Sequence, residues 1–229
     1  YSLDFAIDVA VQKYLDHLPL ERQARIMTRE GLVVDSQTLW DQLWGLAVLL
    51  KDVPERLRQH LLAEGLVCVD ETPWRLIPGR GQKGTGTQRC WVWSIATPAG
   101  VFYRIQEHRS AEAAGALLGD YAGVVMCDAM SAYLSLAKQR PSLTIANCWA
   151  HSRRKFWEVR ESFPIETKQA LDLIGELYAV ERLCPPGRAG DALRLQLRRE
   201  RSRPIIERIR KWAMTTPALP EGGLGKAIS

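Results

Sequence analysis

The sequence predicts an α/β protein: a mixed five-stranded sheet with helices, preceded by a helical segment and followed by more helix. Three changes of pattern carry that expectation. Apolar residues recur at helical spacing through residues 1–62, short β-branched runs broken by turn residues replace them from Leu66, and helical spacing returns after Trp149. The expected boundaries follow: 1–62 helical, 63–160 the sheet-bearing core, 161–229 basic and helical.

In "LDFAIDVAVQKYLD" (3–16), Leu3, Ala6, Ile7, Ala10, Val11, Tyr14 and Leu15 mark an amphipathic helix. Pro19 opens a second helical run that Gly31 ends, and "DSQTLWDQLWGLAVLL" starts a third, with Asp35 or Ser36 as N-cap ahead of Leu39, Trp40, Leu43 and Trp44. Helix, short glycine-containing turn, helix is helix-turn-helix spacing. It suits DNA reading or a three-helix bundle that only packs. The polar residues of the third helix, Asp35, Ser36, Gln37, Asp41 and Gln42, include no Lys or Arg, and residues 1–62 carry 7 basic against 9 acidic side chains, which favours packing.

From Leu66, "LVCVDE" reads as a strand, the glycine-rich Pro78–Gln88 as a mobile loop, and "RCWVWSIA", "TPAG", "VFYRI" as strand, turn, strand. Ser110 is placed to cap "AEAAGALL" and Gly119 to end it; "GVVMCD" and "SLTIANC" are a fourth and fifth strand flanking the helical "SAYLSLAKQ". The predicted order is β-β-β-α-β-α-β. After Trp149 come "HSRRKFWEVRE", "TKQALDLIGELYAVERL", a break at Pro185-Pro186-Gly187, and a long run that Pro204 should kink or restart.

The net charge of +5 is regional: residues 151–211 hold 15 Lys/Arg against 9 Asp/Glu, which suits a polyanion or a long solvated helix. No apolar run approaches the roughly twenty residues of a bilayer span, and no leader is recognised, so a cytoplasmic protein without a membrane partner is expected. Cys68, Cys90, Cys127, Cys148 and Cys184 are odd in number, lack a C-x-x-C pair, and read as reduced, mostly buried thiols. A chain running from Tyr1 to "GGLGKAIS" reads as a piece of a longer polypeptide.

The candidate site rests on Asp70 and Asp128. A right-handed helical crossover returns beside the strand it left, so both aspartates are expected at the carboxyl ends of neighbouring central strands, where open α/β sheets place ligands. Two carboxylates that close repel unless a cation offsets them, and magnesium, as a pair of ions ~3.5–4 Å apart, suits oxygen donors and phosphoryl transfer. The alternative is that each aspartate merely begins a turn. Glu71 should point to the other face of its strand, behind the site or toward solvent. Cys148 and His151 have metal-like spacing without a second pair, so zinc is not expected.

"HLPLERQ", "REGLVVDSQTL", "VDETPW", "WVW", "GDYAGVVMCDAMSAY", "NCWAHSRRKFWE", "RSRPIIERIRKWA" and "LPEGGLGKAIS" together resemble, in order and over essentially the whole chain, bacterial transposases of the insertion sequence sixty-six type. The resemblance implies a ribonuclease-H-like catalytic core with a DDE triad, in which Asp70 and Asp128 are the first two catalytic and metal-binding acids, holding two Mg2+ or Mn2+ ions. The third acid, a glutamate in an asparagine-rich helical motif, is then expected beyond Ser229, leaving Glu158, Glu161, Glu200 and Glu207 as solvated helix residues. Implied with it are metal-dependent DNA cleavage and strand transfer of an insertion sequence, DNA partners (transposon ends and target), a homo-oligomer, and accessory proteins of the same element. His151, Arg153, Arg154 and Lys155 are expected to grip DNA phosphate, with Trp149 and Phe156 packing in the core. A DNA-binding remnant without catalysis, or a nuclease or resolvase on the same fold, is the alternative.

Overall fold

The computed structural model describes residues 1–77, 87–128 and 130–228. The loop expected at Pro78–Gln88 lies outside the described residues as far as position 86. Two compact units divide the chain: Tyr1–Arg109 with Ala116–Gly123, and Ser110–Gly115 with Val124–Ser229.

The first unit opens with four helices, α1 (Leu3–Tyr14), α2 (Leu20–Arg29), α3 (Ser36–Leu49) and α4 (Val53–Leu61). Asp35 caps α3 by accepting the Thr38 amide at 2.7 Å, and Gly31, at φ 92°, takes the left-handed turn that leaves α2. Val9, Leu20, Ala24, Leu39 and Leu43 join α1, α2 and α3 in one core. Trp40 and Trp44 share the sequence periodicity but not the burial, standing 47% and 65% exposed.

The strands β1 (Leu66–Leu76), β2 (Gln88–Thr97) and β3 (Gly100–Gln106) pair antiparallel, with Asp70 opposite Ser94 and Ser94 opposite Tyr103. Because side chains alternate across a strand, Val67, Val69 and Glu71 fall with Trp93, Ile95 and Phe102 on the buried face, while Cys68 and Asp70 fall on the exposed one. Two expectations are corrected here. Cys68 is exposed, unlike buried Cys90 and Cys127, because its parity is opposite to that of Val67 and Val69. Asp70 does not end its strand: β1 runs on to Leu76 as a ribbon paired with β2, although burial along it stops at Glu71.

Leu61 of α4 is fully buried, and with Leu57 it lies 3.8 Å from where a Cβ on Gly100 of β3 would stand. The same helix sends Arg58 to the Leu117 carbonyl at 2.9 Å, and Arg104 of β3 reaches the Ala116 carbonyl at 3.0 Å. Both carbonyls lie in the last turn of α5 (Ala111–Leu118), where helical acceptors lack partners and cations complement the dipole. Ser110 accepts from the Ala113 amide at the other end, and Gly119 (φ 56°) closes the helix.

The second unit carries β4 (Val124–Cys127), α6 (Ser131–Gln139), β5 (Thr144–Asn147), α7 (Trp149–Glu158), α8 (Pro164–Glu181), α9 (Asp191–Leu197), α10 (Arg203–Thr215) and α11 (Gly223–Ile228). β4 and β5 pair parallel, so the five strands are of both kinds, antiparallel in the first unit and parallel in the second. Phe156, Ala170, Ile174, Leu224 and Ala227 make the helical core, and Leu177, Val180, Leu197 and Ile205 extend it. Pro204 has no amide for the Glu200 carbonyl; the backbone winds as a π turn over Arg198–Ser202 and α10 follows without a stop, its proline in the first turn. No described helix is long and apolar enough to cross a membrane.

Candidate functional site

Asp70 belongs to the first unit. Its side chain lies on the exposed face of β1, where Oδ1 accepts the Glu71 amide at 3.0 Å and its carbonyl accepts the Ser94 hydroxyl at 3.2 Å. Among the described residues its carboxylate makes no ion pair.

Glu71 does turn to the opposite face, but that face is buried, which corrects the solvent-facing expectation. Its side chain is 1% exposed, and Oε1 accepts from Arg109 Nη2 at 2.6 Å and Nε at 2.8 Å. Arg109 also lies over the Trp91 ring, 5.2 Å from its centroid. A buried carboxylate requires such a partner. Sequence reasoning missed the pair, although the shared parity of Val67, Val69 and Glu71 was a usable signal for its burial.

Asp128 belongs to the second unit and follows the last residue of β4. Half-buried, it accepts the Met130 amide on Oδ1 at 3.1 Å, the local turn bond that aspartate commonly makes at a strand end. Cys127 stands opposite Asn147 of β5, and the Cys148 amide donates to the Cys127 carbonyl at 3.0 Å. The start of α7 is thereby fixed at the strand end that carries Asp128.

The four basic candidates all sit on α7. Arg153, Arg154 and Lys155 are exposed, and among the described residues none of the three is in an ion pair. Arg153 lies 5.6 Å from the Trp157 ring centroid. His151 is half-buried, with Nδ1 enclosed and without a hydrogen-bond partner. Phe156 is buried as expected, at an edge-to-face 5.6 Å from Trp212. Trp149 is not: it stands 36% exposed and lines two cavities.

Asp70 and Asp128 present hard anionic oxygens, the donor type that Mg2+ and Mn2+ take. Among the described residues no group of three or more His, Cys, Asp or Glu side chains is arranged to hold a metal ion. Glu158, Glu200 and Glu207 are exposed on helices, Glu200 accepting from Gln196 at 3.0 Å, whereas Glu161 is exposed in the turn between α7 and α8 rather than on a helix. The donor chemistry therefore fits such a cation, while a complete ligand set is not present among these residues.

Among solved structures, the Mos1 transposase paired-end complex with left transposon end is similar over 68% of this chain and 61% of that one, at 12% identity and a TM-score of 0.28, too low to carry an argument. Two uncharacterized proteins of Sinorhizobium fredii (strain NBRC 101917 / NGR234) are closer in sequence. y4jD is 34% identical over 221 residues, covering 90% of this chain and 42% of its own length; y4qI is 32% identical over 215 residues, covering 86% and 39%. The chain thus spans about two-fifths of the relatives it matches. The family model described as Transposase IS66 family matches residues 1–229, from one end to the other, and the chain belongs to that family.

Proposed function

We propose that this chain carries part of the catalytic centre of an insertion-sequence transposase, one that cuts DNA at transposon ends and joins the freed 3′ ends to target DNA in a metal-dependent reaction. The observation that carries the reading is the family match over residues 1–229. Asp70, exposed on β1, and Asp128, following β4, are the proposed metal-holding pair, completed by a third carboxylate from outside residues 1–229. Bound there, Mg2+ or Mn2+ would supply activation of water or a 3′-hydroxyl and neutralise charge on the phosphoryl oxygens.

The protein's own groups have separate tasks. The Asp128 carboxylate is held at the strand end by its bond to the Met130 amide, leaving its orientation set before any ligand arrives. Arg153, Arg154 and Lys155 extend from α7, where they would hold the DNA backbone on either side of the scissile phosphate through sequence-independent contacts. His151 adds a donor or acceptor at the inner edge of the same helix.

The test is Mn2+ titration by calorimetry of the wild-type chain beside Asp70→Ala and Asp128→Ala. Loss of affinity in both variants is expected; equal affinity in all three removes the site. A strand-transfer assay on the full-length protein, with a labelled end and a plasmid target, separates joining from the nuclease alternative, which cuts without joining.

A further inference from the structure

The second unit contains a cavity of about 470 Å³ that the proposed chemistry does not use. That volume lies within the ~300–1,000 Å³ of small-ligand sites. Its walls are apolar and aromatic, built from Met126 at β4, Trp149 at the start of α7, Leu177 and Tyr178 on α8, and Ile206 on α10. The polar side chains in the lining are Asn147, which ends β5, Ser202, which ends the π turn, and the charged Glu181, Arg198 and Arg203.

Ser202 is the informative residue. It is only 6% exposed, it lines the cavity, and its hydroxyl has no hydrogen-bond partner. A buried hydroxyl left unpaired is costly, so its presence in a mostly apolar lining points to a ligand that supplies the partner. π turns inside helices recur at functional sites. An aliphatic ligand would fill the walls and leave Ser202 unpaired; a sugar would lay polar faces against Trp149 and Tyr178. A flat ring with apolar faces and a polar edge satisfies both.

The mouth of the cavity favours an anion attached to that ring. Exposed Arg203 opens α10 at the rim, and α7 begins beside it with no side-chain cap on Cys148, so its first amides are open to an anion. Arg198 is already engaged by Glu181, at 2.6 and 2.9 Å. Position matters as well, since Asn147 stands opposite Cys127, the residue before Asp128. The cavity therefore opens at the strand end where the proposed chemistry occurs.

We infer that this cavity takes a single unpaired nucleobase, turned out of a DNA strand lying along α7, with its edge on Ser202 and its phosphate at the mouth. The inference rests on the DNA-cutting reading above. Turning a base out of a duplex is cheapest where it is not paired, so an unpaired base should be preferred.

The experiment compares two duplexes of equal length and charge by fluorescence anisotropy at one salt concentration. One is fully paired; the other carries one base opposite an abasic site. The wild-type chain is expected to bind the second about tenfold tighter, toward the low end of what one base stacked on aromatic side chains contributes. Ser202→Leu, which fills the cavity, and Tyr178→Ala, which removes a wall, should equalise the two affinities while leaving the paired duplex bound as before. Ser202→Ala, which keeps the packing, should retain part of the preference. Equal binding of both duplexes by the wild type, or a preference that survives Ser202→Leu, overturns the base pocket and leaves the DNA reading standing; binding of neither duplex overturns both.

Discussion

Arg109 donates two short hydrogen bonds to the Glu71 carboxylate, and the pair joins the buried face of β1 to the segment that follows β3. The carboxylate is 1% exposed and the guanidinium 37%, so removing the arginine takes the cationic partner from a buried carboxylate, while the reverse change affects a partly hydrated cation. Arg109→Ala is expected to destabilise the protein by about 3 kcal/mol, and Glu71→Gln by less. Urea denaturation of both variants checks the order; Glu71→Gln proving the costlier would show that the guanidinium, not the carboxylate, is the group in need of its partner.

Arg154 and Lys155 are exposed on α7 and, among the described residues, unpaired, whereas Lys168 is exposed but held to Asp172 at 2.6 Å. If α7 meets the DNA backbone, each of Arg154→Ala and Lys155→Ala should reduce the slope of log affinity against log salt by about 0.9, and Lys168→Ala should not. Anisotropy titrations at several salt concentrations measure the slope. Identical slopes for all three variants and the wild type would place the DNA elsewhere.

Glu181 titrates below the usual carboxylate range, chiefly because Arg198 donates to it; burial opposes this, and the charges of Arg198 and Arg194 add to it. A carboxyl whose folded value is lowered stabilises the fold above the unfolded value of about 4.3, and that contribution disappears as pH falls through the lowered value. Both side chains are solvated in part, so the effect is small, about 0.5 kcal/mol after screening. Thermal melts of the wild type should therefore fall more steeply below pH ~4.3 than those of Arg198→Gln. Parallel pH profiles would mean that the ion pair adds nothing measurable.

Local signals made much of the fold legible. The limits of α5 and α6 follow from Ser110, Gly119 and the apolar spacing of "SAYLSLAKQ", and the β2–β3 hairpin from its two-residue turn. α4 falls within the stretch expected to be helical but does not stand out as a helix of its own, because "VPERLRQHL" is short and largely polar, with only Leu61 buried. The length of β1 escaped because the ribbon beyond Glu71 is stabilised by pairing with β2, which leaves no apolar alternation to read. At the site, Asp70 and Asp128 stand out as acids near apolar runs, and the basic helix stands out by charge. The cavity around Ser202 was invisible for a different reason: its walls come from β4, α7, α8 and α10, and no short window of sequence contains them.

Burial separates two residue pairs that periodicity treats alike. Leu39 and Leu43 are 0% and 7% exposed inside the core of α1, α2 and α3, whereas Trp40 and Trp44, one position on in each case, are 47% and 65% exposed. The tryptophans are larger, so a scale based on side-chain size alone ranks their loss as the greater. Stability depends instead on the contacts that water cannot replace: truncating a fully buried leucine costs about 2–5 kcal/mol, while a mostly exposed side chain away from special contacts changes stability by about 0.5 kcal/mol. Leu39→Ala should accordingly unfold at much lower urea than Trp44→Ala, with the latter close to the wild type. Equal losses in the two variants would mean that Trp44 is covered in solution, and sedimentation of the wild-type chain would then show whether a second copy covers it.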